Sequence, residues 1–177
     1  MNDPKSNEDA GRKEVFKVTI NATLDAVWQE LVRTDGLQKA MFNSRMHTPG
    51  VEVGAPLRMR SPNGRYTAVA GEFLQVERPA RLAHTFRFTT YDDPECTVTY
   101  DLREVDGGVE LTLTVGNMPV GTKTAKQMSQ GGTFIVNNVK AIVETGKPTF
   151  SARCLFLLFK LLEPFNPKRT LSTEWPL

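Results

Sequence analysis

Residues whose type and spacing could do chemistry are few in this chain. The two histidines, His47 and His84, are far apart, and neither has a second His or Cys at ligand spacing, so a zinc site is not expected. The two cysteines, Cys96 and Cys154, fall at a strand start and in a tail helix, and read as reduced thiols rather than a disulfide framework. Gly116-Asn117-Met118-Pro119-Val120-Gly121 followed by Thr122-Lys123-Thr124 has the outline of a phosphate loop. Such a loop needs Lys directly after the second Gly. Here Thr122 intervenes and Pro119 removes an amide donor, so the segment is a turn. No G-x-S-x-G elbow surrounds Ser129, and no G-x-G-x-x-G follows a strand. No cofactor is expected.

His84 is the residue with most chemical scope. It alternates with Leu82, Phe86 and Phe88 against Ala83, Thr85 and Arg87, so it points to the apolar side of a strand. An imidazole there can shuttle a proton or hold a ligand carbonyl, or it can be a core histidine bonded to a neighbour. Tyr100 either directs its hydroxyl into a cavity or fills core volume. Arg58, Arg60, Arg65 and Glu72 lie on nearby strands, as polar contacts at a cavity mouth or as a solvated sheet face.

The elements that must position these groups follow from periodicity. Val15, Phe16, Val18 and Ile20 begin a strand. Thr23 is a helix N-cap for the face Val27, Trp28, Leu31 and Val32, and Leu37, Ala40 and Met41 suggest a second short helix. Strands follow at Leu57–Arg60, Arg65–Val76 with Gly71 as a bulge or bend, Leu82–Phe88, Val98–Leu102 and Val109–Val115. The turns are Ser61-Pro62-Asn63-Gly64, Glu77-Arg78-Pro79-Ala80, Asp92-Asp93-Pro94 and Asp106-Gly107-Gly108. One apolar face per strand predicts an antiparallel meander with one side buried.

A long helix from about Thr124 to Thr145 covers that side with Met128, Ile135, Val139 and Ile142, and stops at Gly146-Lys147-Pro148. Gly131-Gly132 is costly inside it, roughly 1 kcal/mol each relative to Ala. Either the regular helix starts after them, or the missing side chains make room for a neighbour; the first reading leads. Phe150 to Glu163 forms an apolar tail helix, too short to span a bilayer, which takes about 20 residues. It packs on the domain, forms a homodimer contact through residues 150–163, or attaches to a membrane interface with Arg153, Lys160, Lys168 and Arg169. Leu171 to Leu177 reads as an extended strap anchored by Trp175.

Composition agrees with a single domain. The chain has 177 residues, 40% apolar and 24% charged, with a net charge of +2. Without a dominant basic field there is no case for nucleic acid. Residues 1–12 are polar and expected to be disordered; they lack the apolar stretch of a secretory signal, so a cytoplasmic location is expected. Asn21-Ala22-Thr23 matches a glycosylation sequon, which matters only in a secreted protein.

Five stretches in this order resemble the helix-grip fold of the START and SRPBCC superfamily. They are Ile20–Trp28, Met59–Tyr66, Glu77–Leu82, Pro94–Tyr100 and Val143–Pro148. Within it the chain is similar to the family of homologues of the activator of the heat-shock protein 90 ATPase. The resemblance covers about Glu14 to Pro148. It implies an α+β, START/birch-pollen-allergen-like fold: a six- to seven-stranded curved antiparallel sheet around a long C-terminal helix, with two short helices after the first strand. Residues 13–148 are then the domain and 149–177 an addition. Similar sequences often carry tryptophan where this chain has Thr133 and Phe86, changes that reshape the cavity.

The resemblance also implies a cavity between sheet and helix for an apolar small molecule, lipid or polyketide-like compound. A preformed apolar cavity with a few polar groups is enough for that role, so binding leads over catalysis. The candidate ligand-binding residues are His84, Phe86, Tyr100, Glu72, Met41, Phe134 and Asn138. Two alternatives stay open. One is a co-chaperone-like interaction module. The other is a cavity enzyme (cyclase, aromatase or hydrolase) using His84 with Tyr100 or Glu72 under a lid at Leu37 to Asn43.

Overall fold

The computed structural model describes residues 12–177. The expectation for residues 1–12 therefore lies outside the described residues, except for Arg12, which opens the first strand.

Seven strands form one antiparallel sheet in the order β1-β7-β6-β5-β4-β3-β2. They are β1 Arg12–Ile20, β2 Arg45–His47, β3 Pro56–Arg60, β4 Thr67–Glu77, β5 Arg81–Phe88, β6 Cys96–Val105 and β7 Gly108–Met118. β2 to β7 are a continuous meander, and β1 closes the far side against β7 in the register Phe16 to Leu113 and Val18 to Leu111. The alternation read from the sequence sets the buried face: Val109, Leu111, Leu113 and Val115 of β7 are each at most 1% exposed. Burying such side chains contributes about 1.5–3 kcal/mol apiece. β2 escaped the sequence reading because three residues are too few to display a period.

Two details of β4 differ from expectation. The strand begins at Thr67, since Ser61 to Tyr66 complete the turn around Gly64, whose φ is +74°. The irregularity in pairing with β5 falls between Phe73 and Gln75, not at Gly71. Gly71 serves close approach instead: a Cβ there would lie 2.1 Å from the Thr85 carbonyl oxygen.

Between β1 and β2 lie α1 (Leu24–Leu31) and a 3-10 turn at Lys39–Met41. Thr23 caps α1 by accepting a hydrogen bond from the Ala26 amide. The long helix α2 spans Lys123–Thr145, capped by Thr122 and ended by Gly146 in the left-handed region at φ 72°. It runs without a break through Gly131 and Gly132, so the expectation of a start after them is corrected. A Cβ on Gly132 would sit 2.1 Å from Cε2 of Phe16, so the bare backbone lets the helix lie on β1. Polar ties hold the same seam. Ser129 donates to Glu14 at 2.6 Å, Lys140 donates to the Thr19 carbonyl at 2.6 Å, and the Asn21 amide donates to Glu144 at 2.8 Å.

A third helix, α3, covers Phe150–Leu162. Its first turn is fastened by Thr149 as N-cap and by the fully buried Ala152. The residues that follow form 3-10 turns at Glu163–Phe165 and Lys168–Thr170, and the strap expected at Leu171 to Leu177 is interrupted by a third at Ser172–Glu174, after Leu171 bridges to Tyr66. Proline at 164 and 167 prevents a regular helix, and local i to i+3 bonds satisfy the backbone instead. Trp175 does anchor the segment: its Nε1 donates to the Arg169 carbonyl, and the Arg87 guanidinium lies over its ring at 5.8 Å.

Candidate functional site

The sheet curves around α2 without closing on it, and the space left between them is a cavity of about 1290 Å³. Its floor is the inner face of the sheet: Leu57 and Met59 of β3, Leu82, His84, Phe86 and Phe88 of β5, Val98 and Tyr100 of β6, and Leu113 of β7. Met128, Phe134 and Ile135 of α2 form the opposite wall, and Phe156 and Phe159 of α3 approach over the mouth. The segment Gln38 to Ser44 makes the remaining side. A Gln38 to Ser44 bridge pinches this segment into a loop, and Phe42 and Asn43 take left-handed backbone at φ 56° and 60°. That conformation turns the Phe42 ring onto Phe134, parallel within 7° at 4.7 Å, with Phe159 of α3 at 6.2 Å.

The walls are mainly apolar, and three of the polar side chains that line them, His84, Tyr100 and Gln38, have a defined state. His84 is buried, with Nδ1 2.7 Å from the Thr85 carbonyl oxygen. A carbonyl only accepts, so Nδ1 carries the proton and Nε2 is left as an acceptor. Burial holds the imidazole pKa below its ordinary value, against the smaller opposing effect of the Thr85 bond, so the ring is neutral at pH 7. Burial raises the pKa of the Tyr100 hydroxyl, which stays protonated and reaches only the Met41 sulfur, at 3.7 Å. The Gln38 amide donates to the Leu31 carbonyl at 2.8 Å, while its buried Oε1 has no hydrogen-bond partner among the described residues.

Five of the residues proposed from sequence come together here: His84, Phe86, Tyr100, Met41 and Phe134 all line the cavity. Two do not. Glu72 is exposed on the opposite face of β4, because its neighbour Phe73 points inward and is fully buried. It lines a shallow cleft with Arg58, Arg87 and Trp175 and cannot partner His84. Asn138 is buried on α2, but its polar atoms are already used. Nδ2 donates to the Phe134 carbonyl at 3.0 Å, and Oδ1 accepts from both the amide and the hydroxyl of Thr149 at 3.1 Å. It joins α2 to α3 and does not line the cavity. The sequence placed Gln38 and Phe42 in a lid at Leu37 to Asn43 without giving either a role, because their contacts depend on a loop conformation without periodicity. Among the described residues, no group of His, Cys, Asp and Glu could hold a metal ion.

A seven-stranded curved sheet gripping one long helix, with a cavity between them, is the helix-grip arrangement. Residues 10–144 match the model of the family described as "Activator of Hsp90 ATPase homolog 1-like protein". The chain belongs to that family. No curated protein matches it. Solved structures do. DynU16, from the dynemicin biosynthetic locus, is 26% identical with a TM-score of 0.62, covering 77% of this chain and 48% of its own. The chain thus spans about half the length of DynU16. The Aha1 dimer from Colwellia psychrerythraea is 16% identical with a TM-score of 0.61, covering 77% of this chain and 98% of its own. PFC0360w, an HSP90 activator from Plasmodium falciparum, is 19% identical with a TM-score of 0.59, covering 78% and 99%. At such identities the last two speak for the fold alone. No described helix of this family member is long and apolar enough to cross a membrane.

Proposed function

We propose that the chain binds a hydrophobic small molecule with an apolar body and at least one hydroxyl, held between the sheet and α2. The observation that carries this reading is the cavity of about 1290 Å³ with aromatic and aliphatic walls. Ligand sites in proteins have this character: apolar lining with a few placed polar groups. The polar groups set the ligand's chemistry. His84 Nε2 and Gln38 Oε1 accept, and the Tyr100 hydroxyl donates or accepts, so a neutral ligand that offers hydrogen-bond donors is favoured. A buried acceptor without a partner costs about 1–3 kcal/mol, which a ligand hydroxyl reaching Gln38 recovers. His84 bonds the Thr85 carbonyl rather than a carboxylate, and Glu72 lies on the other face, which favours binding over acid–base catalysis. The co-chaperone-like alternative draws on the family description and on the exposed apolar side chains of α3.

Native mass spectrometry of the purified protein tests the proposal. A bound mass lost on denaturation, and identified after solvent extraction, is the expected result. The proposal fails if the protein is bare and titration with hydroxylated naphthalene probes gives no saturable signal.

A further inference from the structure

Helix α3 is apolar on two sides. The inner side, with Ala152, Leu155 and Phe156, faces the body and the cavity mouth, where Phe159 lines the rim while 45% exposed. The outer side carries Phe150, Leu157 and Leu161, which are 74%, 65% and 73% exposed, with Phe165 beyond the helix end at 82%. Positions 150, 154, 157 and 161 fall three or four apart and so form one stripe along the helix. A stripe this apolar is seldom left to water.

Charge identifies what covers it. Residues 1–145 carry seventeen Lys and Arg against eighteen Asp and Glu, whereas 146–177 carry five against two. The chain's positive excess thus sits on the same segment as its exposed apolar side chains. Arg153 and Lys160 flank the stripe, and Lys147 and Lys168 stand at its two ends. Among the described residues none of these four pairs with a carboxylate, although Arg169 pairs with Asp92. α3 itself contains no acidic residue. A second copy packed on this stripe about a two-fold axis would bring the two copies' Arg153 and Lys160 together, with no acidic side chain on the helix to answer them. An anionic lipid surface meets both needs at once. Apolar side chains enter the acyl boundary, and basic ones stay among the headgroups.

We propose that α3 docks the chain on an anionic lipid surface, lying flat in the interface. At 13 residues, the helix is about 20 Å long, enough to lie in that layer and too short to cross it. Arg153, Leu157 and Lys160 also rim the cavity, so docking brings its mouth to the lipid. The inference stands on the surface of α3 and not on the cavity reading.

Flotation of the full chain with vesicles tests it without any cavity ligand. Vesicles of phosphatidylcholine with about 30% phosphatidylserine are compared with phosphatidylcholine alone. The expected result is flotation with the anionic vesicles, weakened by salt. Arg153→Ala/Lys160→Ala should bind about 30-fold more weakly, at roughly fivefold per basic residue. Leu157→Glu/Leu161→Glu alters exposed positions only and should abolish flotation with its circular dichroism unchanged. The proposal is overturned if wild type does not float with anionic vesicles, or if it binds neutral and anionic vesicles alike. It is equally overturned if sedimentation shows a dimer that Leu157→Glu dissolves and that accounts for the stripe. Should the Glu variant misfold, the salt and lipid dependence of wild type decides.

Discussion

The ring of Phe16 on β1 fills the space into which a side chain on Gly132 of α2 would project, with Cε2 only 2.1 Å from that Cβ position. The glycine is expensive for the helix and necessary for its seat on the sheet. Alanine at 132 improves helix propensity by about 1 kcal/mol. It also forces the ring or the helix to move, an overpacking cost of about 1–3 kcal/mol. Gly132→Ala should therefore lower stability in urea melts by up to about 2 kcal/mol. In a Phe16→Leu background the same change should be neutral or stabilising. Equal effects in both backgrounds would show that the contact does not set the packing.

Asn138 offers a second test, because its side chain ties two helices. Asn138→Ala leaves the Thr149 amide and hydroxyl without their acceptor. A loss of about 1 kcal/mol is expected, since these groups are only part-buried and the hydroxyl keeps Ser151 as a partner. The loss should be local as well as global: limited proteolysis should cut near Thr149 sooner than in wild type. Unchanged cleavage there would mean that Ala152 alone holds α3 in place.

Stability should fall on mild acidification. Burial depresses the folded pKa of His84, opposed in part by the Thr85 bond. His47 is depressed too, by burial and then by the Arg60 and Arg45 charges. Protons therefore bind the unfolded chain more tightly. The contribution is complete above the unfolded value of about 6.5 and is lost as pH drops below it. Urea midpoints should decrease from pH 7.5 to pH 5, and the slope should be shallower in His84→Gln. An equal slope in that variant would assign the pH dependence to other groups.

The two thiols should react very differently. Cys96 is buried, and burial pushes its pKa up to about 11, against a smaller opposing hydrogen bond to its own backbone. Cys154 is exposed on α3. Since the thiolate is the reactive form, the folded chain at pH 8 should show one fast thiol in a disulfide-exchange assay and a second only on unfolding. Two fast thiols would contradict the packing of β6 against Phe86.

Much of the fold was legible because its signals are local. Thr23 caps, Gly146 stops, Asp106-Gly107 turns, and the inward residues of β5, β6 and β7 alternate without interruption. The cavity residues on regular strands were legible for the same reason, as His84, Phe86 and Tyr100 illustrate. Glu72 was misplaced although its neighbour Phe73 carries the correct signal, since parity along one strand settles which of two adjacent residues faces in. The lid at Leu37 to Asn43 was legible as a segment, but the contacts of Gln38 and Phe42 within it were not, because left-handed backbone at Phe42 and Asn43 leaves no periodic trace.

The sequence by itself determined the strand meander, the long helix and the family, since short-range hydrogen bonding and apolar period are written residue by residue. Only the tertiary structure decided what each ambiguous residue does. Gly132 is a contact with Phe16, Asn138 a tie to Thr149, and α3 a helix with one side on the cavity and one side uncovered. These depend on distances between segments far apart in the chain, which packing of the whole sheet around α2 sets.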